Sequence, residues 1–177
     1  MKSKNNWYVI TGAPSSGKTT LIKQLEEKGY YVIHEVAREY IDKEMAKGKT
    51  IEEIRKNERH FQDEVLKMKI DLEKKLSKNK IIFFDRGIPD SLAYYKLYGW
   101  KVSQDLQKAV DECWYKKIFL LDFYDFKKDY ARTESREQQV KIHDLMEKTY
   151  RETKIPLEII PKMEIKEHRA KHILKNL

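Results

Sequence analysis

The stretch Gly12-Ala13-Pro14-Ser15-Ser16-Gly17-Lys18-Thr19 constrains this chain more than any other. It fits G-x-x-x-x-G-K-[ST], the phosphate-binding loop pattern. The flanks fit as well. Trp7-Tyr8-Val9-Ile10-Thr11 is a β-rich apolar run, and Thr20-Leu21-Ile22-Lys23-Gln24-Leu25 opens a helical pattern. Strand, loop and helix together make an anion trap. Glycines let the backbone wrap closely, successive N–H groups face phosphate oxygens, and the helix N-terminus adds partial positive charge. Lys18 is expected to reach the β- and γ-phosphates, and the Thr19 hydroxyl to bind Mg²⁺, with residues 12–20, Thr20 included, forming the nucleotide cradle.

The rest of the chain alternates in the same way. Strands are expected at 7–11, 30–34, 80–85, 117–121 and 157–160. Helices are expected from Lys18 to about Lys28, through Arg38 to Met45, from Thr50 to about Ser77, at 91–98, after Ser103, from about Thr133 to Arg151, and in the tail after Lys162. Thr50-Ile51-Glu52-Glu53 is a capping box. Ile54, Phe61, Val65, Met68, Leu72 and Leu76 then recur at helical spacing, which predicts one long helix with a single core-facing stripe. The runs Ile81–Phe84 and Ile118–Leu121 are continuously apolar, as in strands covered on both faces. This alternation defines an α/β protein: a parallel sheet of five strands between two helical layers.

At 177 residues the chain is read as one domain. Its net charge of +8 favours anionic ligands, nucleotides among them. Basic and acidic residues are interleaved, so nucleic acid is a minor alternative partner. Cys113 is the one cysteine, which excludes an internal disulfide and a cysteine zinc site. No apolar run approaches membrane-spanning length and no signal peptide is visible, so a cytoplasmic protein is expected.

In open parallel sheets ligands sit at the carboxyl ends of the strands. There the sequence places Glu35 and Arg38 after the second strand, Asp85 and Arg86 with Asp90 after the third, and Asp122, Arg132 and Arg136 after the fourth. Phosphoryl transfer needs this inventory of cations, a metal carboxylate and a base. Asp85 ends an apolar strand and is the first candidate, with Thr19, to hold Mg²⁺; Asp122 ranks second. Glu35 is a candidate base for an acceptor hydroxyl, with Arg38 holding that acceptor or pairing with Glu35 itself. Arg132 and Arg136 are four apart and suit a triphosphate, or else pair on the surface with Glu134 or Glu137.

The set Gly12–Thr19, His34-Glu35-Val36-Ala37-Arg38-Glu39-Tyr40-Ile41, Phe84-Asp85-Arg86-Gly87 and Arg132-Thr133-Glu134-Ser135-Arg136 resembles the AAA-like ATPase family related to the ribosylnicotinamide kinase domain. Asp85-Arg86 followed by Ser91-Leu92-Ala93-Tyr94 is similar to a thymidylate kinase pattern, although Gly87 stands where an aromatic residue is usual there. Glu35 and Asp85-Arg86 also look like the base and the acid–arginine pair of deoxynucleoside kinases. The resemblance implies strand order 2-3-1-4-5, a lid near residues 123–138, and ATP with Mg²⁺ as phosphoryl donor. It implies a kinase using Lys18, Glu35, Asp85, Arg86, Arg132 and Arg136 in catalysis. Glu35, Arg38, Arg86 and Asp90 would then line the site of a nucleoside, nucleotide or related hydroxyl acceptor. The competing readings are a regulatory ATPase or GTPase switch, and a nucleic-acid-associated ATPase or polynucleotide kinase. The guanine-reading N-K-x-D signature is missing: Asn79-Lys80-Ile81-Ile82 lacks the aspartate.

Overall fold

A computed structural model describes residues 5–122, 135–163 and 166–177. Along the chain the elements are β1 (Trp7–Thr11), α1 (Lys18–Glu27), β2 (Tyr31–Ile33), α2 (Val36–Ala46), α3 (Ile51–Arg55), α4 (Glu58–Lys75) and β3 (Ile82–Asp85). They continue with α5 (Ile88–Leu97), α6 (Gln104–Glu112), β4 (Lys117–Leu121), α7 (Arg136–Glu152), β5 (Leu157–Ile160) and α8 (Lys166–Lys175). The strands form one sheet in the order β2-β3-β1-β4-β5, every pair parallel, as the resemblance implied.

Side-chain alternation explains the layering. Successive residues of a strand point to opposite faces. Trp7 and Val9 of β1 join Ile82, Phe84 and Ile118 on one face, where Leu66, Ile88, Leu92, Leu106 and Tyr150 from α4, α5, α6 and α7 cover them. Tyr8 and Ile10 join Phe83, Phe119 and Leu121 on the other, under Leu21, Ile22 and Leu25 of α1 and Ala170 and Ile173 of α8. Both faces are therefore apolar, which is why β3 and β4 read as unbroken hydrophobic runs. Among the described residues no helix is long and apolar enough to cross a membrane.

Two helix boundaries differ from expectation. The helix opened by the Thr50 capping box stops at Arg55, and a second begins at Glu58. Asn57 causes the break: its side chain accepts the His60 N–H at 3.0 Å, which caps a new helix. Ile54 and Phe61 stay on one buried cluster across the break, so the apolar stripe alone does not show it. The helix expected from Ser91 begins at Ile88, because proline is tolerated in a first turn and the Asp90 carboxylate accepts the Gly87 N–H at 2.8 Å. The expected lid at 123–138 falls mostly outside the described residues.

Candidate active site

β1 delivers the chain to the loop at Thr11. Gly12 has φ 141°, and a Cβ there would lie 2.6 Å from the Leu121 carbonyl and 2.9 Å from Ser16 Oγ, so only glycine fits. Left-handed residues at Ser15 (φ 67°) and Gly17 (φ 87°) give the loop the backbone turns of an anion-binding nest. Lys18 is buried. Its ammonium donates to the carbonyls of Gly12 (3.0 Å) and Ala13 (2.8 Å) and to Ser16 Oγ (3.2 Å), spanning the loop. Thr19 and Thr20 are exposed on the first turn of α1.

Asp85 ends β3 beside Ile10 of β1, so the register sets it next to the strand that feeds the loop. Its Oδ1 is buried without a hydrogen-bond partner. Burial and the nearby Glu35 carboxylate push its pKa up to about 6, against the pull of Lys18 and Arg86. A buried, unsatisfied carboxylate oxygen is costly unless something binds it. Together with the Thr19 hydroxyl it offers the hard oxygen donors that suit Mg²⁺, an ion usually held by few protein ligands.

Arg86 follows in the left-handed region at φ 74° and is buried. Its backbone N–H donates to the Ile10 carbonyl at 3.0 Å. Its Nε donates to Glu35 Oε1 at 2.9 Å, and Nη1 donates to the Gly12 carbonyl at 3.1 Å, with Asp90 Oδ1 at 3.5 Å. Glu35, at the start of α2, also accepts from Arg38 Nε at 3.3 Å. Burial pushes the Glu35 carboxyl up, but Arg86, Lys18 and Arg38 together outweigh it and hold the pKa at about 2. Glu35 is thus an ionised carboxylate fastened to the loop through one guanidinium.

Asp90 is fully buried and both of its oxygens are engaged by protein. Oδ1 accepts from Thr11 Oγ1 at 2.5 Å, and Oδ2 accepts from the Gly87 N–H at 2.8 Å and the Tyr150 hydroxyl at 2.5 Å. The residue expected at the substrate therefore sits as a hub joining β1, the turn after β3 and α7. A second ring of groups grips the same turn. Lys69 of α4 donates to the Gly87 carbonyl at 2.9 Å and to Ser91 Oγ at 3.3 Å. The Tyr115 hydroxyl accepts the Ile88 N–H at 3.0 Å and donates to Glu73 Oε1 at 2.5 Å. A Cβ on Gly87 would meet the hydroxyls of both Tyr115 and Tyr150 at 3.0 Å, so this chain has no room for the aromatic residue usual in thymidylate kinases.

Tyr115, Tyr150 and Lys69 are not singled out by sequence. Tyr150 reads as an apolar position of its helix, since an aromatic ring on a core face masks the work of its hydroxyl. Lys69 carried a usable signal: it lies four residues after Val65, on the buried face of α4. Arg136 is exposed at the start of α7, and Arg132 lies outside the described residues. The structure thus brings together the loop, Glu35, Arg38, Asp85, Arg86 and Asp90.

A phosphate-binding loop on a 2-3-1-4-5 parallel sheet, with a carboxylate and an arginine after β3, defines a P-loop NTPase of kinase-like fold. A model of the AAA domain family matches residues 7–168. The chain belongs to that family. No curated protein sequence matches it. Among solved structures it is similar to thymidylate kinase from Ehrlichia chaffeensis (TM-score 0.65, 16% identity, 96% of each chain covered). It is also similar to deoxyadenosine kinase from M. mycoides with bound dCTP (TM-score 0.66, 15% identity, 96% of this chain and 97% of that one). NadR protein in complex with NAD and AMP-PNP matches with TM-score 0.67 and 17% identity over 97% of this chain, which spans 49% of that longer one. At these identities the likeness is one of fold.

Proposed function

We propose that this protein is a kinase that transfers the γ-phosphoryl group of ATP to a hydroxyl of a small nucleoside-like acceptor. One observation carries the proposal: Arg86 bridges the carbonyl of Gly12 in the phosphate loop and the carboxylate of Glu35. A group able to receive an acceptor hydroxyl is thereby held one guanidinium away from the donor phosphates. A carboxylate in this place serves an acceptor hydroxyl or a water alike, so turnover with and without an acceptor separates the kinase from a switch.

Each residue has a role in this reading. The backbone N–H groups of the loop, which Pro14 alone lacks, wrap the phosphates, and Lys18 balances charge on the β- and γ-groups. Mg²⁺, which Thr19 and Asp85 would hold, supplies charge neutralisation on the triphosphate. Glu35 accepts the hydrogen bond of the acceptor hydroxyl and takes its proton late, as suits a loose transition state in which the nucleophile need not be ionised early. Arg38 and Arg86 keep that carboxylate ionised and aimed, and Asp90 keeps Arg86 in place. Arg136, with Arg132, is assigned to the triphosphate. Arg38 and Arg86 are already matched by Glu35 and Asp90, which favours an uncharged nucleoside over a nucleotide as acceptor.

The test is ADP formation from ATP, and separately from GTP, across a panel of nucleosides and nucleotides. An uncharged nucleoside that raises turnover well above the water background is the expected result. If every acceptor leaves turnover at that background while ATP still binds, the kinase reading fails and a nucleotide switch replaces it.

A further inference from the structure

The last helix reaches the phosphate loop. α8 packs on α1 through Ala170 and Ile173, which share a core cluster with Leu21, Ile22 and Leu25. From the same helix Arg169, only 3% exposed, sends its guanidinium to three carbonyls on three separate segments. Nη1 donates to Ser16 of the loop at 2.6 Å, Nη2 to Asp122 after β4 at 2.8 Å, and Nε to Pro161 after β5 at 3.0 Å. Arginine's rigid fork suits such a task, because its donors are fixed relative to one another.

The contact with Ser16 has a directional consequence. The carbonyl of Ser16 and the N–H of Gly17 belong to one planar trans peptide, in which they point opposite ways. Pinning that carbonyl therefore fixes the aim of the Gly17 amide, at the residue that opens α1. We propose that Arg169 is a positioning residue for the phosphate-donor site, and that docking of α8 and binding of nucleotide are thereby coupled. This rests on the reading of residues 12–20 as a nucleotide loop. Coupling of two equilibria is reciprocal: if the docked helix raises nucleotide affinity, bound nucleotide must hold the helix more firmly.

The experiment combines Mg-ATP titration with hydrogen exchange of the α8 amides, on the wild-type chain, Arg169→Lys and Arg169→Met. In the wild type, saturating Mg-ATP slows exchange in α8. In Arg169→Met, Mg-ATP binds about tenfold more weakly, as loss of charge-assisted hydrogen bonds implies, and α8 exchange no longer responds to nucleotide. Arg169→Lys falls between, since one ammonium cannot reproduce the fork. Folded variants that bind Mg-ATP as the wild type does, with α8 still protected by nucleotide, overturn the proposal. Should Arg169→Met not fold, the wild type and Arg169→Lys decide: no nucleotide-dependent protection of α8 in the wild type overturns it equally. A wild-type chain that does not bind Mg-ATP sinks the loop reading instead.

Discussion

Glu35 and Arg86 stand 51 residues apart in sequence and meet side by side, Arg86 Nε donating to Glu35 Oε1 at 2.9 Å. Arg86, with Lys18 and Arg38, outweighs burial and holds the Glu35 carboxyl at a pKa of about 2. Glu35→Gln keeps an oxygen for Arg86 but removes the proposed proton acceptor. Its expected effect is a loss of turnover of about 10²–10⁴-fold, with Mg-ATP affinity unchanged. Steady-state rates with the acceptor found by the panel, alongside nucleotide titration, check this. Weakened nucleotide binding at an unchanged rate would move Glu35 to the donor side.

Lys18→Ala tests the loop. The ammonium touches Gly12, Ala13 and Ser16, and the loop keeps the Ser16 N–H to Ala13 carbonyl bond, the Arg86 bond to Gly12 and the Arg169 bond to Ser16. The variant is expected to fold, as judged by circular dichroism. It should lose the rise in Tm that Mg-ATP gives the wild type, since a ligand stabilises only what it binds. An undiminished shift would show that residues 12–19 are not the nucleotide cradle.

Gly87→Ala tests the packing beneath Arg86. The added methyl meets two hydroxyls at 3.0 Å, and both are tied down: Tyr115 by Glu73 and the Ile88 amide, Tyr150 by Asp90. Neither can yield freely, so the substitution should cost about 1–3 kcal/mol in urea unfolding. Combined with Tyr115→Phe the cost should fall below the sum of the two, by about 0.5 kcal/mol or more. Strict additivity would mean that the hydroxyl is not the obstacle.

Glu73 gives a pH dependence. Burial pushes its carboxyl up to about 7, against the Tyr115 hydrogen bond and the Lys69 charge. The folded chain then holds this proton more tightly than the unfolded chain does. The associated stability is full below the ordinary carboxylate range and is lost as pH rises through about 7. Thermal or urea unfolding from pH 5 to pH 8 should show the wild type losing roughly 2 kcal/mol relative to Glu73→Gln, whose amide still accepts from Tyr115. Parallel profiles for the two chains would contradict the shift.

The sequence exposes those parts of this site that are local. Gly12–Thr19 is one contiguous motif, and Asp85 and Arg86 are found because an apolar strand runs straight into them. The strands themselves are legible because each is a short apolar run between helices, whereas their order came only from the family resemblance. What stayed hidden depends on contacts between distant segments. Asp90 can be placed after a strand, but nothing in its neighbours says that Tyr150, 60 residues on, will donate to it. The division at Asn57 is hidden for another reason: hydrophobic phase continues through it, and an asparagine cap competes with an equally plausible helix interior. Arg169 lies in a tail of mixed charge, where a buried guanidinium and a solvated one look alike.

The Asp90 hub also sets an order of assembly at the ribosome. Chains emerge N-terminus first, so the phosphate loop and the turn after β3 exist well before Tyr150 does. Until α7 arrives, Asp90 is a carboxylate awaiting its phenol, and the turn that carries Arg86 lacks one of its restraints. Residues of both halves of the proposed site are thus made before the two helices that restrain them, α7 through Tyr150 and α8 through Arg169, and the site is complete only when both have docked.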